Sequence, residues 1–312
     1  MENNIFNLAS VPPSTGPVNP VAEGNLLGMA ANAAPLRYEA NLASLAAPYD
    51  AAIFLDNDSK YTLQVKKCGD KIQVRKVAGT GWGFSEKPFA SSVYTDYISR
   101  LSPAGVLFAE AIARLISQMA ERAGVPPGEG IDEGSGIGPG DIAAVNEWIA
   151  GHAGQKLAVL LDYDRTLTQI EGAFFIGSSF QEMKKSLETE HGIPSAALTI
   201  DGFVDYYVGG PQRVAMLQGM FDRLYATPDL SVFILTNNPA CYNYVELFTE
   251  VISVLTRGRP FQLVCSALTQ GNKKTAIQTT PALQSLCAAV GGRRKRKTKR
   301  NKRSKRKTRR HR

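Results

Sequence analysis

Five consecutive apolar residues, Leu157, Ala158, Val159, Leu160 and Leu161, run directly into Asp162, Tyr163 and Asp164. A strand wetted on one side alternates polar and apolar positions, so this unbroken run reads as a parallel strand buried on both faces. Such a strand needs helices above and below it, which predicts an α/β fold. The run ends on two aspartates spaced to face one point beyond the strand's carboxyl end, the edge at which open α/β sheets bind their ligands.

Other segments supply the expected alternation. Residues 51–55 read as another buried strand, Asp56, Asn57 and Asp58 as a turn and helix cap, 59–67 as a short helix, and 72–77 as a further strand. Ser102 and Pro103 open an amphipathic helix ending near Gly124, its apolar face including Val106, Ile112, Leu115, Ile116 and Met119. Residues 125–140, crowded with Gly and Pro, read as a loop, after which Asp141 caps a helix presenting Ile142, Val145, Trp148 and Ile149. A short insertion, 169–209, carries a helix at 180–190, and a helix over 212–225 leads into a strand at 231–236. A strand over 261–266 precedes Gly271, Asn272, Lys273 and Lys274 and a last helical segment. Phe174, Phe175 and Phe180 sit where they could line a pocket, although core packing is the commoner use of such residues.

The net charge of +8 divides unevenly. Residues 293–312 hold 15 Lys/Arg and no acid, which leaves 21 basic residues against 28 acidic ones, a net −7 over the rest of the chain. Self-repulsion and the lack of apolar residues predict a disordered, solvated tail. Dense Lys/Arg can neutralise many phosphates, so the tail predicts salt-sensitive, sequence-independent binding to DNA or RNA, and it matches the kind of run read as a nuclear localisation signal. No aromatic residue is interleaved, so base stacking is not implied.

No apolar run approaches the roughly 20 residues needed to span a bilayer, and Met1-Glu2-Asn3-Asn4 lacks the layout of a secretory signal. The expectation is a protein kept in cytoplasm or nucleus, without a membrane partner. Cys68, Cys241, Cys265 and Cys287 are scattered without metal-ligand spacing, which favours reduced thiols in or near the core over disulfides or zinc.

The pattern from 157 to Thr168, apolar strand then Asp162-Tyr163-Asp164-Arg165-Thr166, resembles the first motif of the haloacid dehalogenase-like (HAD-like) hydrolase superfamily. The resemblance implies a magnesium-dependent phosphohydrolase working through a phosphoaspartyl intermediate on a Rossmann-like parallel sheet with helices on both faces and a small cap insertion. Asp162 is then the nucleophile. Asp164 is the general acid/base, and its backbone carbonyl helps hold Mg2+. The second motif matches Thr236, closing a strand before Asn237 and Asn238, with the Thr236 hydroxyl and the adjacent Asn237 holding the phosphoryl group. The third is a lysine at a helix start, either Lys273 or Lys274, with Lys273 favoured by the following Ala276 and Ile277.

The fourth motif, a strand ending in metal-binding aspartates, has no downstream match, because no acidic residue occurs from Thr275 to Arg312. Upstream, 52–74 resembles that region in order and spacing: strand, acidic turn, helix, glycine, strand. This implies a circular permutation in which the fourth and fifth core strands precede the first, giving the usual order 5-4-1-2-3. Asp56 becomes the metal carboxylate, and Asp58 a second ligand, a more distant acid or only a helix cap. Carboxylates of Asp56 and Asp162 more than about 8 Å apart could not share one magnesium.

The expected organisation is an irregular leader (1–48), one HAD-like domain (49–291) and the basic tail (292–312). Within the domain, 49–77 is the permuted strand unit, 78–156 the connecting helices and loop, and 157–291 the first three strands with the insertion. The tail's style is similar to that of many proteins of large DNA viruses, which extends the expected location to an infected cell or a virion. The alternative is a non-catalytic domain of the same fold, serving as a nucleic-acid-binding or virion-associated structural protein.

Overall fold

The computed structural model describes residues 48–79, 92–124, 136–170, 177–238 and 240–287. The expected leader before residue 48, residues 125–135 of the Gly/Pro-rich loop, Phe174, Phe175 and the basic tail lie outside them. The strands are β1 (Ala51–Asp56), β2 (Ile72–Lys76), β3 (Leu157–Leu161), β4 (Leu230–Thr236) and β5 (Gln262–Cys265). The helices are α1 (Ser59–Lys66), α2 (Ser92–Ser99), α3 (Pro103–Ala123), α4 (Pro139–Gly151), α5 (Phe180–Thr189), α6 (Ile200–Val208), α7 (Pro211–Ala226), α8 (Ala240–Asn243), α9 (Val245–Thr256) and α10 (Lys273–Thr279). Single 3-10 turns follow β5 and α10.

All five strands are parallel and lie in the order β2-β1-β3-β4-β5. The three inner strands are the apolar runs, and β1 and β3 are buried at every position. The edge strands β2 and β5 are only partly buried, as their mixed sequences Ile-Gln-Val-Arg-Lys and Gln-Leu-Val-Cys require. Because side chains alternate along a strand, each inner strand feeds two cores. Ile53, Leu55, Val159, Leu161, Val232 and Ile234 face the larger one, under α3 to α7 and α9. Ala52, Phe54, Ala158, Leu160, Phe233 and Leu235 face the smaller one, under Val65 of α1 and Ala276 and Ile277 of α10. Helices therefore cover both faces.

Local signals set most boundaries. The Ser102 hydroxyl accepts the amide of Gly105 at the start of α3, Pro103 occupies the first turn, and Gly124 closes the helix at φ 65°. Helix α4 begins two residues before the expected cap: Pro139 already supplies a helical φ, and Asp141 reaches back from the first turn to accept the Gly138 amide. The insertion holds a second helix, α6, capped by Thr199, besides the expected one. Helices α3 and α6 cross at small residues, since a methyl on Gly202 would lie 2.6 Å from the Ala104 carbonyl oxygen. Phe108 and Phe203 pack with tilted rings beside that crossing, 4.8 Å between ring centres. Phe180 is buried in the same core.

The expectation of reduced thiols is overturned. Cys68 pairs with Cys287 and Cys241 with Cys265, leaving no free cysteine. The partners are 219 and 24 residues apart, so no spacing signal exists in the chain. The fold brings them together, Cys68 at the end of α1 against the segment after α10, and Cys241 in α8 against the end of β5. Among the described residues no helix is long and apolar enough to cross a membrane.

Candidate active site

Strand register delivers the first two carboxylates to one place. Leu55 of β1 lies opposite Leu161 of β3, and Leu161 opposite Ile234 of β4. Asp56 and Asp162 therefore leave the same edge side by side, and the Asp162 amide extends the ladder by donating to the Leu55 carbonyl at 3.0 Å. Thr236 ends β4 at that edge.

A lysine closes the gap between the carboxylates. Lys273 Nζ donates to Asp56 Oδ2 and to Asp162 Oδ1, each at 2.6 Å. The two carboxylate oxygens thus lie no further apart than twice that distance. Lys273 and Asp56 are wholly buried. Lys273 is the first residue of α10; its neighbour Lys274 is half-buried, which separates the two candidates the sequence left open. Asn272 caps that helix by accepting the Thr275 amide, and Gln64 of α1 accepts the Lys273 amide at 2.9 Å.

Burial and like charge work against two ionised acids here. Burial first, and the charge of Asp162 second, push the Asp56 carboxyl up to about 7, against the pull of Lys273. Burial by itself would depress Lys273, but the charges of Asp162 and Asp56 outweigh it and hold the ammonium above its ordinary range. One buried cation thus faces two acids, a donor set that remains short of positive charge when both are ionised.

Thr166 ties the two strand ends together. Its hydroxyl donates to Asp162 Oδ2 at 3.2 Å and accepts the Asn57 amide at 3.2 Å. Arg165 adopts φ 55°, which turns the chain back so that Thr166, wholly buried, faces Asp162. Arg213 of α7 clamps the same loop, donating to the carbonyls of Ile137 at 2.6 Å and Thr166 at 3.2 Å. Asp58 is placed differently from Asp56: its Oδ1 accepts the Lys60 amide at 2.6 Å, the N-cap of α1, while its own amide donates to Asp56 Oδ1 at 2.7 Å. It helps orient Asp56 through the backbone.

The turn after β4 meets the same centre. The buried Thr236 hydroxyl accepts the Asn238 amide at 3.0 Å. The Asn237 side-chain amide donates to the Tyr61 hydroxyl at 2.9 Å, and the Tyr61 ring lies over Lys273, 4.4 Å from Nζ to the ring centre. Burial holds the Tyr61 phenol above its ordinary range, outweighing the opposing pull of Lys273. The Asn238 amide reaches Asp164, at 2.9 Å from Oδ2 and 3.2 Å from Oδ1.

Asp56, Asp162 and Lys273 thus meet directly; Thr236 and Asn237 belong to the adjoining turn, and Asp164 is linked to that turn through Asn238. Contributors without a role in the sequence reading include Tyr61, Gln64, Thr166, Arg213 and Asn238. Tyr61 and Gln64 stand three apart on α1 after the Asp58 cap, so their shared face was available from helical spacing. What that face meets was not.

Among the described residues no group of three or more His, Cys, Asp or Glu is gathered as a metal cluster. The chain matches none of the protein-family models, curated proteins or solved structures with which it was compared.

Proposed function

We propose that the chain is a magnesium-dependent phosphohydrolase of the HAD-like type, circularly permuted, with Asp162 as nucleophile. The observation that carries this is the meeting of Asp56, from the amino-terminal strand unit, with Asp162 and Lys273 at one sheet edge. The strand order β2-β1-β3-β4-β5 also supports the permutation, being what the order 5-4-1-2-3 becomes when the last two strands are encoded first.

The residues fit a magnesium ion. Mg2+ is commonly held by one or two carboxylates, with waters and substrate oxygens filling its octahedron. Asp56 and Asp162 would supply the carboxylates and Asp164 its backbone carbonyl; Asp58 is occupied as a helix cap. When bound, the ion supplies charge neutralisation for phosphoryl oxygens. It would also offset the charge of Asp162, which adds to burial in raising the Asp56 pKa.

The chain's own groups then divide the work. Asp162 Oδ attacks phosphorus; the bond from phosphorus to the leaving oxygen breaks, and Asp164, as the acid, gives that oxygen its proton. The Asp164 carboxylate next takes a proton from water as the water oxygen bonds to phosphorus and the phosphoaspartyl P–O bond breaks, releasing inorganic phosphate. Lys273 holds the Asp162 carboxylate in place and, with the Thr236 hydroxyl and the Asn237 amide, favours the negative phosphoryl oxygens. The basic segment 293–312 brings the enzyme to DNA or RNA by neutralising backbone phosphates.

The test is hydrolysis of p-nitrophenyl phosphate with and without magnesium by wild type, Asp162→Asn and Asp56→Asn. The expected result is magnesium-dependent turnover lost in Asp162→Asn and sharply reduced in Asp56→Asn. Turnover that survives Asp162→Asn rejects the nucleophile.

A further inference from the structure

We propose that Asn238 positions Asp164 for its two proton transfers, so that protonation of the leaving group depends on a residue that touches no reacting atom. This assignment rests on the reaction proposed above. Asp164 lies in the turn three residues beyond the end of β3, half-buried, on a side chain whose two rotatable bonds must be fixed if its carboxylate is to be aimed. Asn238 Nδ2 straddles that carboxylate, 2.9 Å from Oδ2 and 3.2 Å from Oδ1.

The asparagine is itself held at both ends. It is buried, its backbone amide donates to the Thr236 hydroxyl at 3.0 Å, and its carbonyl accepts the Cys241 amide at 3.1 Å. Cys241 is in turn paired with Cys265, which lies opposite Thr236 in the sheet. The neighbouring Asn237 turns away to Tyr61. Two adjacent asparagines thus serve different partners, one the cover of Lys273 and the other the proton donor.

The chemistry of the amide gives this contact a direction. An asparagine NH2 donates and does not accept, so it satisfies carboxylate lone pairs but cannot take the acid's proton. The contact therefore orients the Asp164 carboxyl without competing for its proton. A general acid works only within hydrogen-bond reach of that oxygen, and a displacement of about 1 Å can cost about 100-fold in rate.

A merely structural role would slow all substrates alike, whereas a role in proton delivery depends on how much the leaving group needs the proton. Two magnesium-loaded variants, Asn238→Ala and Asn238→Leu, which keeps a similar branched volume but loses the donor without adding charge, are compared with wild type. The substrates are β-glycerophosphate, whose alkoxide must be protonated, and p-nitrophenyl phosphate, whose phenolate leaves without much help. The quantity read is kcat/KM, which reports only the steps through departure of the leaving group. The expected fall is about 100-fold on β-glycerophosphate and less than about 5-fold on p-nitrophenyl phosphate. Equal falls on the two esters in the folded Asn238→Leu protein overturn the assignment while leaving the reaction standing. A wild type inert toward both esters sinks the reaction itself, and this assignment with it.

Discussion

Replacing Asp56 with asparagine should shift the balance of stability toward the variant increasingly as pH rises. Asp56 is wholly buried, and burial, reinforced by the charge of Asp162, lifts its carboxyl from an ordinary 3.8 to about 7. A carboxyl whose pKa is raised by folding contributes its full stability below the unfolded value and loses it as pH rises through the folded one. The window therefore runs from about 4 to about 7, and between pH 5 and pH 8 the wild type loses about 2–3 kcal/mol through this group. The substituted side chain has no proton to lose; its one carboxamide oxygen accepts from Lys273 or from the Asp58 amide, a cost that does not change with pH. The stability difference between variant and wild type should thus widen by that amount, equivalent to roughly 5–10 °C in the unfolding midpoint of a domain this size. The assay is urea unfolding at pH 5, 6, 7 and 8 in a chelating buffer. Added magnesium should cancel most of the slope by binding the ionised pair. A difference that stays constant from pH 5 to 8 refutes the claim that Asp162 and burial hold the Asp56 proton.

Lys273→Met should cost about 3–5 kcal/mol in denaturant unfolding, because it leaves Asp56 and Asp162 buried against each other without a cation. Lys274→Met, half-buried with no role at the centre, should stay within about 0.5 kcal/mol. Thr166→Val removes the hydroxyl that joins Asp162 to the Asn57 amide, and should destabilise by about 1–3 kcal/mol in the same assay while lowering phosphatase turnover. Cys68→Ser should lose about 2–4 kcal/mol, and dithiothreitol, which also opens Cys241–Cys265, should remove the difference between wild type and variant. Deleting residues 293–312 should abolish nucleic-acid binding whose affinity falls steeply with salt, measured by anisotropy; binding that survives the deletion places the interaction elsewhere.

Part of this molecule was determined along the chain. Unbroken apolar runs at 51–55 and 157–161 specify buried parallel strands because a half-wet strand cannot be apolar at every position, and the acids that end them leave the sheet at its carboxyl edge. Caps such as Ser102, Asp58 and Asn272 act on the amides of residues two or three positions on, so helix starts were readable locally. Other features depend on which elements become neighbours. The choice of Lys273 over Lys274 is made by the rotation of α10 against α1, where Gln64 takes the Lys273 amide and Tyr61 covers its ammonium. The tie from Asn238 to Asp164 crosses between the ends of two adjacent strands 74 residues apart. The disulfides join cysteines whose spacing carries no signal, since their meeting depends on how the helices pack. Periodicity and capping act over one helical turn and are written in neighbouring residues. The Asp56 to Asp162 meeting and its buried lysine exist only once the sheet has brought distant segments to one edge and excluded water from between them.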